Sequence, residues 1–122
     1  MNIAVILAGG SGTRMGNDVP KQFLKVAGKK VLEHTIEVFE NAKNIDEICI
    51  VSRTDYIHEV ESIIINNGYT KVKKILSGGK ERYDSSLAAI NAYPINNHNL
   101  LFHDAVRPLL TERIIDDCLT AL

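Results

Sequence analysis

The stretch Ile6 to Gly16, ILAGGSGTRMG, carries Gly9, Gly10, Gly12 and Gly16 together with a single arginine, Arg14. Glycines without a Cβ let successive backbone N–H groups close around a polyphosphate, and a guanidinium offers its oxygens a planar, permanently charged fork. Two familiar glycine loops can be tested against this spacing. A Walker A loop ends in Gly-Lys-Ser/Thr, whereas Gly12 is followed by Thr13-Arg14-Met15. A dinucleotide loop fits little better: Gly16 falls one residue late after Gly10-x-Gly12. The next apolar run closes on Val51-Ser52-Arg53, without an acidic residue for a ribose hydroxyl.

Three further segments carry groups that suit the same ligand. Pro20-Lys21-Gln22-Phe23 sets an ammonium, Lys21, after a proline bend. Ser77-Gly78-Gly79-Lys80-Glu81-Arg82-Tyr83-Asp84-Ser85-Ser86 opens a helix behind two glycines, with the Ser85 hydroxyl one turn in. His103-Asp104-Ala105-Val106-Arg107-Pro108 ends an apolar run on Asp104, a place for a Mg²⁺-binding carboxylate facing a polyphosphate loop. Strand alternation turns His103 to the other face, so it is read as packing. Singly, each segment has a plainer reading: a tight turn, a surface lysine, or support for a helix start.

The elements that must position these groups alternate. Ile3 to Leu7, Ile48 to Val51, Val72 to Leu76 and Leu100 to Phe102 are strand-length runs, the third more mixed than the rest. Helical stripes lie between them: Val31, Leu32, Thr35, Ile36, Val38 and Phe39; then Ile57, Val60, Ile63 and Ile64, closed by Asn67-Gly68. A third stripe uses Leu87, Ala88, Ile90 and Asn91, and a fourth uses Ile114, Ile115, Cys118 and Leu119 behind a Thr111 N-cap. This pattern predicts an α/β domain with a mostly parallel sheet and helices on both faces. Ligands of such sheets bind where loops leave the carboxyl ends of the strands, and all four segments above occupy such loops.

Composition sets the outer limits. A chain of 122 residues forms one domain, burying roughly two thirds of its unfolded surface. Its 14 Lys and Arg balance 15 Asp and Glu, so no global field recruits nucleic acid or an anionic membrane, and any phosphate site is local. Cys49 and Cys118 read as small buried hydrophobes in a reducing compartment. His34, His58 and His98 lack partners at ligand spacing and are read as structural or solvated. Lys71, Lys73 and Lys74 are read as the solvent side of an edge-like strand. No run approaches the roughly 18 apolar residues of a membrane span, and Met1-Asn2 leads straight into a core strand, so a cytoplasmic protein is expected.

Taken together, Leu7-Ala8-Gly9-Gly10-Ser11-Gly12-Thr13-Arg14-Met15, Pro20-Lys21-Gln22, Gly78-Gly79-x-Glu81-Arg82-x-x-Ser85 and His103-Asp104-Ala105-Val106-Arg107-Pro108 resemble the polyol-phosphate cytidylyltransferases. That family includes the D-ribitol-5-phosphate enzyme of teichoic-acid and capsule synthesis and the 2-C-methyl-D-erythritol 4-phosphate enzyme of isoprenoid synthesis. The resemblance implies a Rossmann-like nucleotidyltransferase fold, CTP and Mg²⁺ as co-reactants, and a CDP-polyol and pyrophosphate as products. By the same resemblance Leu7, Ala8, Gly9, Gly10, Ser11 and Gly12 hold the nucleotide, while Arg14 and Lys21 stabilise the transition state. Gly79, Arg82 and Ser85 then lie on the base and ribose side, and Asp104 with Ala105 forms the ribose and metal corner. Family members are longer, so residues 1–122 are expected to be the CTP-binding N-terminal part, with the acceptor-binding half absent and a homodimer formed by the full-length enzyme. The wording of the first loop and of HDAVRPLLT leans toward the ribitol branch. A non-catalytic nucleotide-binding module is the alternative from another class.

Overall fold

A computed structural model of the chain describes residues 1–8, 21–78, 82–93 and 98–105. Strand β1, Asn2–Ala8, is followed by a 3-10 turn at Lys21–Phe23 and a short hairpin of β2, Lys25–Val26, and β3, Lys29–Lys30. Helix α1, Val31–Asn41, leads to β4, Glu47–Ser52; α2, Ile57–Asn67, leads to β5, Val72–Ser77; and α3, Arg82–Ala92, leads to β6, Asn99–Asp104. The main sheet runs β5-β4-β1-β6, and each neighbouring pair is parallel.

Strand order and handedness together decide where the helices lie. Parallel crossovers are right-handed, so stepping outward from β1 to β4 to β5 puts α1 and α2 on one face. Returning across the sheet from β5 to β6 puts α3 on the other. The core divides accordingly: Ala4, Ile6 and Ala8 of β1 pack with Leu32, Ile36 and Phe39 of α1 and Val60 and Ile63 of α2. Ile3, Val5 and Leu7 pack with Cys49 and Val51 of β4 and with Ala89 and Tyr93 from the α3 side. With side chains alternating between two covered faces, β1 has to be apolar throughout, and residues Ile3 to Ile6 are fully buried.

Helix ends follow local chemistry. The Glu33 carboxylate accepts from the Lys30 N–H at 2.9 Å, satisfying a donor ahead of the first turn of α1. Gly68 closes α2 in the left-handed conformation, φ 67°, as Asn67-Gly68 predicts. The α3 stripe differs from expectation. Leu87 and Ile90 are exposed, and the helix packs through Ser85 and Ala89, because only small side chains at this spacing let it approach the sheet closely.

Other details also depart from the sequence reading. Lys73 is exposed, but Lys71 donates to the Ala42 carbonyl at 2.7 Å and Lys74 lies 4.5 Å from the centre of the Tyr93 ring. The Tyr93 hydroxyl donates to Glu47, and burial pushes the neighbouring Cys49 thiol up to about 11, which makes it a poor nucleophile. His103 meets Phe39 edge-on, with ring centres 5.7 Å apart, as strand alternation predicts. Cys118 and the expected fourth helix lie outside the described residues.

Ala27 and Gly28 both have positive φ, 53° and 83°, as a type I′ hairpin turn requires, and alanine carries a steric cost there. Ala27→Asn should raise stability by about 0.5–1 kcal/mol, read as a higher denaturant midpoint with an unchanged slope. Glu40 accepts from the Lys71 N–H at 3.0 Å and from the Thr70 N–H and hydroxyl at 2.9 and 2.7 Å. Burial acts to raise its carboxyl, but these hydrogen bonds prevail and hold it below the ordinary value of 4.5. Its contribution, of the order of 1 kcal/mol, is therefore complete above the unfolded-state value and lost as pH falls through the lowered folded value. The stability gap between the wild type and Glu40→Gln should be constant near neutral pH and shrink on acidification below 4.5.

Candidate nucleotide site

Register brings the carboxyl ends of the strands into one row. Leu7 pairs with Asp104, Ala8 with Ser52, and Ser52 with Ser77. The chain steps from β1 to β4 on one side and returns to β6 on the other, so β1 and β6 flank the switch point, where open α/β sheets leave a ligand crevice. Ala8 ends β1 immediately before the glycine-rich sequence, and Asp104 ends the adjoining strand.

Side-chain alternation sorts the edge into two sides. Leu7, Val51 and Asp104 share the α3 face, while Ala8 and Ala105 share the α1 face. Leu7 and Ala8 are buried, at 7% and 1% exposure, so their side chains belong to the core and the chain beyond them begins the loop. Ala105 is fastened from two directions: its N–H donates to the Leu7 carbonyl at 3.0 Å, and its carbonyl accepts from the Thr35 hydroxyl at 2.9 Å. Thr35 is fully buried in α1, so this bond ties the helix directly to the turn after Asp104.

A second tie joins the Lys21–Phe23 turn to β1. The Gln22 side-chain amide donates to the Ala8 carbonyl at 2.9 Å, and Gln22 is only 2% exposed. Phe23 is buried beside Tyr56, with ring centres 5.4 Å apart, and the Val31 N–H donates to the Leu24 carbonyl at 2.8 Å. Lys21 heads this turn, so the backbone of a proposed catalytic residue is anchored next to the root of the glycine loop.

On the α3 side, the Gly78 N–H donates to the Ser52 carbonyl at 2.8 Å, and the Ser85 hydroxyl sits over the Gly78 Cα. Ser85 is buried, at 3% exposure. Thr54 and Ser77 share a hydrogen bond between their hydroxyls across the β4 and β5 ends. Arg82 begins α3.

The structure therefore brings together Leu7, Ala8, Asp104 and Ala105 at the switch point, with the Lys21 turn fastened beside them and Ser85 across the row at Gly78. Gly9, Gly10, Ser11, Gly12, Arg14 and Gly79 lie outside the described residues. The sequence places Thr35 in the apolar stripe of the first helix and Gln22 in the Pro20-Lys21-Gln22 motif, but shows neither tie. The available signal was a polar residue of hydrogen-bonding length inside an otherwise apolar or turn segment, the usual mark of a buried tie.

A parallel sheet whose order reverses at β1, with a carboxylate on the neighbouring strand end, defines an open α/β domain. The chain belongs to the family described as IspD, 2-C-methyl-D-erythritol 4-phosphate cytidylyltransferase, whose model matches residues 2–122. It is 50% identical over 123 residues to a bifunctional ribulose 5-phosphate reductase/CDP-ribitol pyrophosphorylase of Haemophilus influenzae, covering 99% of this chain and 26% of that protein. It is 38% identical over 118 residues to a 2-C-methyl-D-erythritol 4-phosphate cytidylyltransferase of Lachnospira eligens, covering 97% of this chain and 52% of that protein. The fold superimposes with a TM-score of 0.79 on the crystal structure of a 4-diphosphocytidyl-2C-methyl-D-erythritol synthase from Anaerococcus prevotii. That structure is 30% identical, and the match covers 98% of this chain and 49% of that one. The chain thus spans about half the length of the methylerythritol relatives it matches, and less of the bifunctional one. Among the described residues, no helix is long and apolar enough to cross a membrane.

A Cβ at Gly78 would run into the Ser85 hydroxyl oxygen and lie 3.0 Å from Val51 Cγ1. Gly78→Ala should cost about 1–3 kcal/mol, and adding Ser85→Ala should recover part of that loss in thermal melts. Strict additivity of the two changes would contradict the packing described.

Proposed function

We propose that residues 1–122 form the CTP-binding part of a cytidylyltransferase that transfers CMP from CTP to a polyol phosphate, D-ribitol 5-phosphate. What carries the ribitol assignment is the 50% identity to a protein named as a CDP-ribitol pyrophosphorylase, against 38–42% for methylerythritol relatives. The second reading, 2-C-methyl-D-erythritol 4-phosphate, is favoured by the family model itself and by the Anaerococcus structure.

In this reading a phosphate oxygen of the polyol phosphate attacks the α-phosphorus of CTP in line. The bond from the α-phosphorus to its bridging oxygen breaks, and pyrophosphate leaves with the electron pair. Such chemistry needs positioning and charge neutralisation more than a strong base. Ala8 to Gly12 wrap the nucleotide; Arg14 and Lys21 place fixed positive charge at the transferred phosphate. Gly79, Arg82 and Ser85 contribute to the base and ribose side, and Asp104 and Ala105 form the ribose and metal corner.

The donor set suits Mg²⁺. Asp104 offers one carboxylate at the strand end, and among the described residues no group of three His, Cys, Asp or Glu could hold a metal. Mg²⁺ is commonly held by one or two carboxylates plus substrate phosphates, so the ion would arrive with the nucleotide and Asp104 would hold its protein side. Bound there, it would neutralise charge on the triphosphate. Acceptor binding and dimerisation belong to the longer protein in this proposal.

CTP with Mg²⁺ should raise the melting temperature of the chain more than ATP, GTP or UTP; equal shifts would remove the cytosine assignment. In the longer protein, pyrophosphate release should be faster with D-ribitol 5-phosphate than with 2-C-methyl-D-erythritol 4-phosphate, and the reverse order would favour the second reading. Arg14→Ala and Lys21→Ala should each lower kcat by about 10²–10³ with little change in melting temperature.

A further inference from the structure

We propose that Gln22 is a positioning residue for the nucleotide's triphosphate, acting through Lys21. This rests on the functional reading above. The 3-10 turn Lys21–Phe23 is fixed to the body by the buried Phe23 ring and by the bond from the Val31 N–H to the Leu24 carbonyl. Phe23 joins the buried cluster shared by β1 and α1, and the Leu24 bond holds the turn to the start of α1. Gln22 reaches β1 itself, at the carbonyl of Ala8, the residue from which the glycine loop departs. One amide therefore sets the spacing between two elements that must converge on the same phosphates.

Burial gives this bond leverage. Donor and acceptor residues are 2% and 1% exposed, so water is poorly placed to replace the amide if it is removed. A lost bond would let the Lys21 turn and the end of β1 separate, and displacements of even about 1 Å are costly where a charged group must meet a developing or fixed negative charge. A purely structural amide would satisfy the Ala8 carbonyl equally well, but its loss would weaken binding of every part of the nucleotide alike.

That difference can be measured on this chain by isothermal titration with CTP and with cytidine, which lacks every phosphate, in the presence of Mg²⁺, using Gln22→Leu, Lys21→Ala and the double variant. The wild type should bind CTP more tightly than cytidine. Lys21→Ala should reduce that preference about tenfold, Gln22→Leu should reduce it severalfold while leaving cytidine affinity within about twofold, and the double variant should be no worse than Lys21→Ala. If Gln22→Leu fails to give a cooperative melt, the unbranched Gln22→Met takes its place. Equal losses for CTP and cytidine, or a Gln22 effect of the same size with and without Lys21, would overturn the positioning role while leaving the Lys21 reading intact. An unchanged CTP preference in Lys21→Ala would overturn the Lys21 role and the proposal with it, and absence of CTP binding by the wild type would remove the functional reading.

Discussion

Parallel pairing of β1 with β4 on one side and β6 on the other is the constraint on which the rest of the molecule depends. It makes β1 the central strand, buried on both faces, and requires an unbroken apolar sequence from Ile3 to Ala8. It also fixes the relative height of the strand ends, since a register slip of one residue would move every side chain to the opposite face. With Leu7 opposite Asp104 and Ala8 opposite Ser52, the glycine loop, the carboxylate and the β4 end begin at one level. The candidate site proposed at the carboxyl edge depends on that register.

Local ties then hold what the sheet has aligned. The Thr35 bond to Ala105 and the Gln22 bond to Ala8 bring α1 and the Lys21 turn onto the ends of β6 and β1, both through side chains excluded from water. On the opposite face, Ser85 over Gly78 sets the approach of α3. The amino edge has its own fastenings, including Asn2 with Asp46 and Tyr93 with Glu47, which carry no candidate chemistry.

Much of this was legible in the sequence wherever a residue type had few physical options. Ile3 to Leu7 could hardly be anything but a strand covered on both faces, and Asn67-Gly68 marked a helix end because glycine tolerates the left-handed conformation found at Gly68. His103 and Asp104 were separated correctly by alternation alone. The α3 face was not legible, because hydrophobicity pointed to Leu87 and Ile90 whereas close packing selects Ser85 and Ala89. The β2–β3 hairpin was missed because its strands are lysine-rich and its turn uses Ala27 where Asn or Gly would have announced it. The ties made by Gln22 and Thr35 were not legible because a buried tie is defined by its partner, which only the fold reveals. For the candidate site, the motifs identified which loops to compare, and the topology brought their roots together.

The central claim is that the nucleotide binds at the carboxyl ends of β1 and β6. Hydrogen–deuterium exchange of the chain with and without CTP and Mg²⁺ tests it most directly. The account predicts added protection in peptides spanning residues 7–24, 77–86 and 103–108, with no change around residues 44–47 and 92–99 at the amino edge. Protection confined to the amino edge, or to the groove that Ile64 of α2 and Ile75 of β5 line, would contradict it.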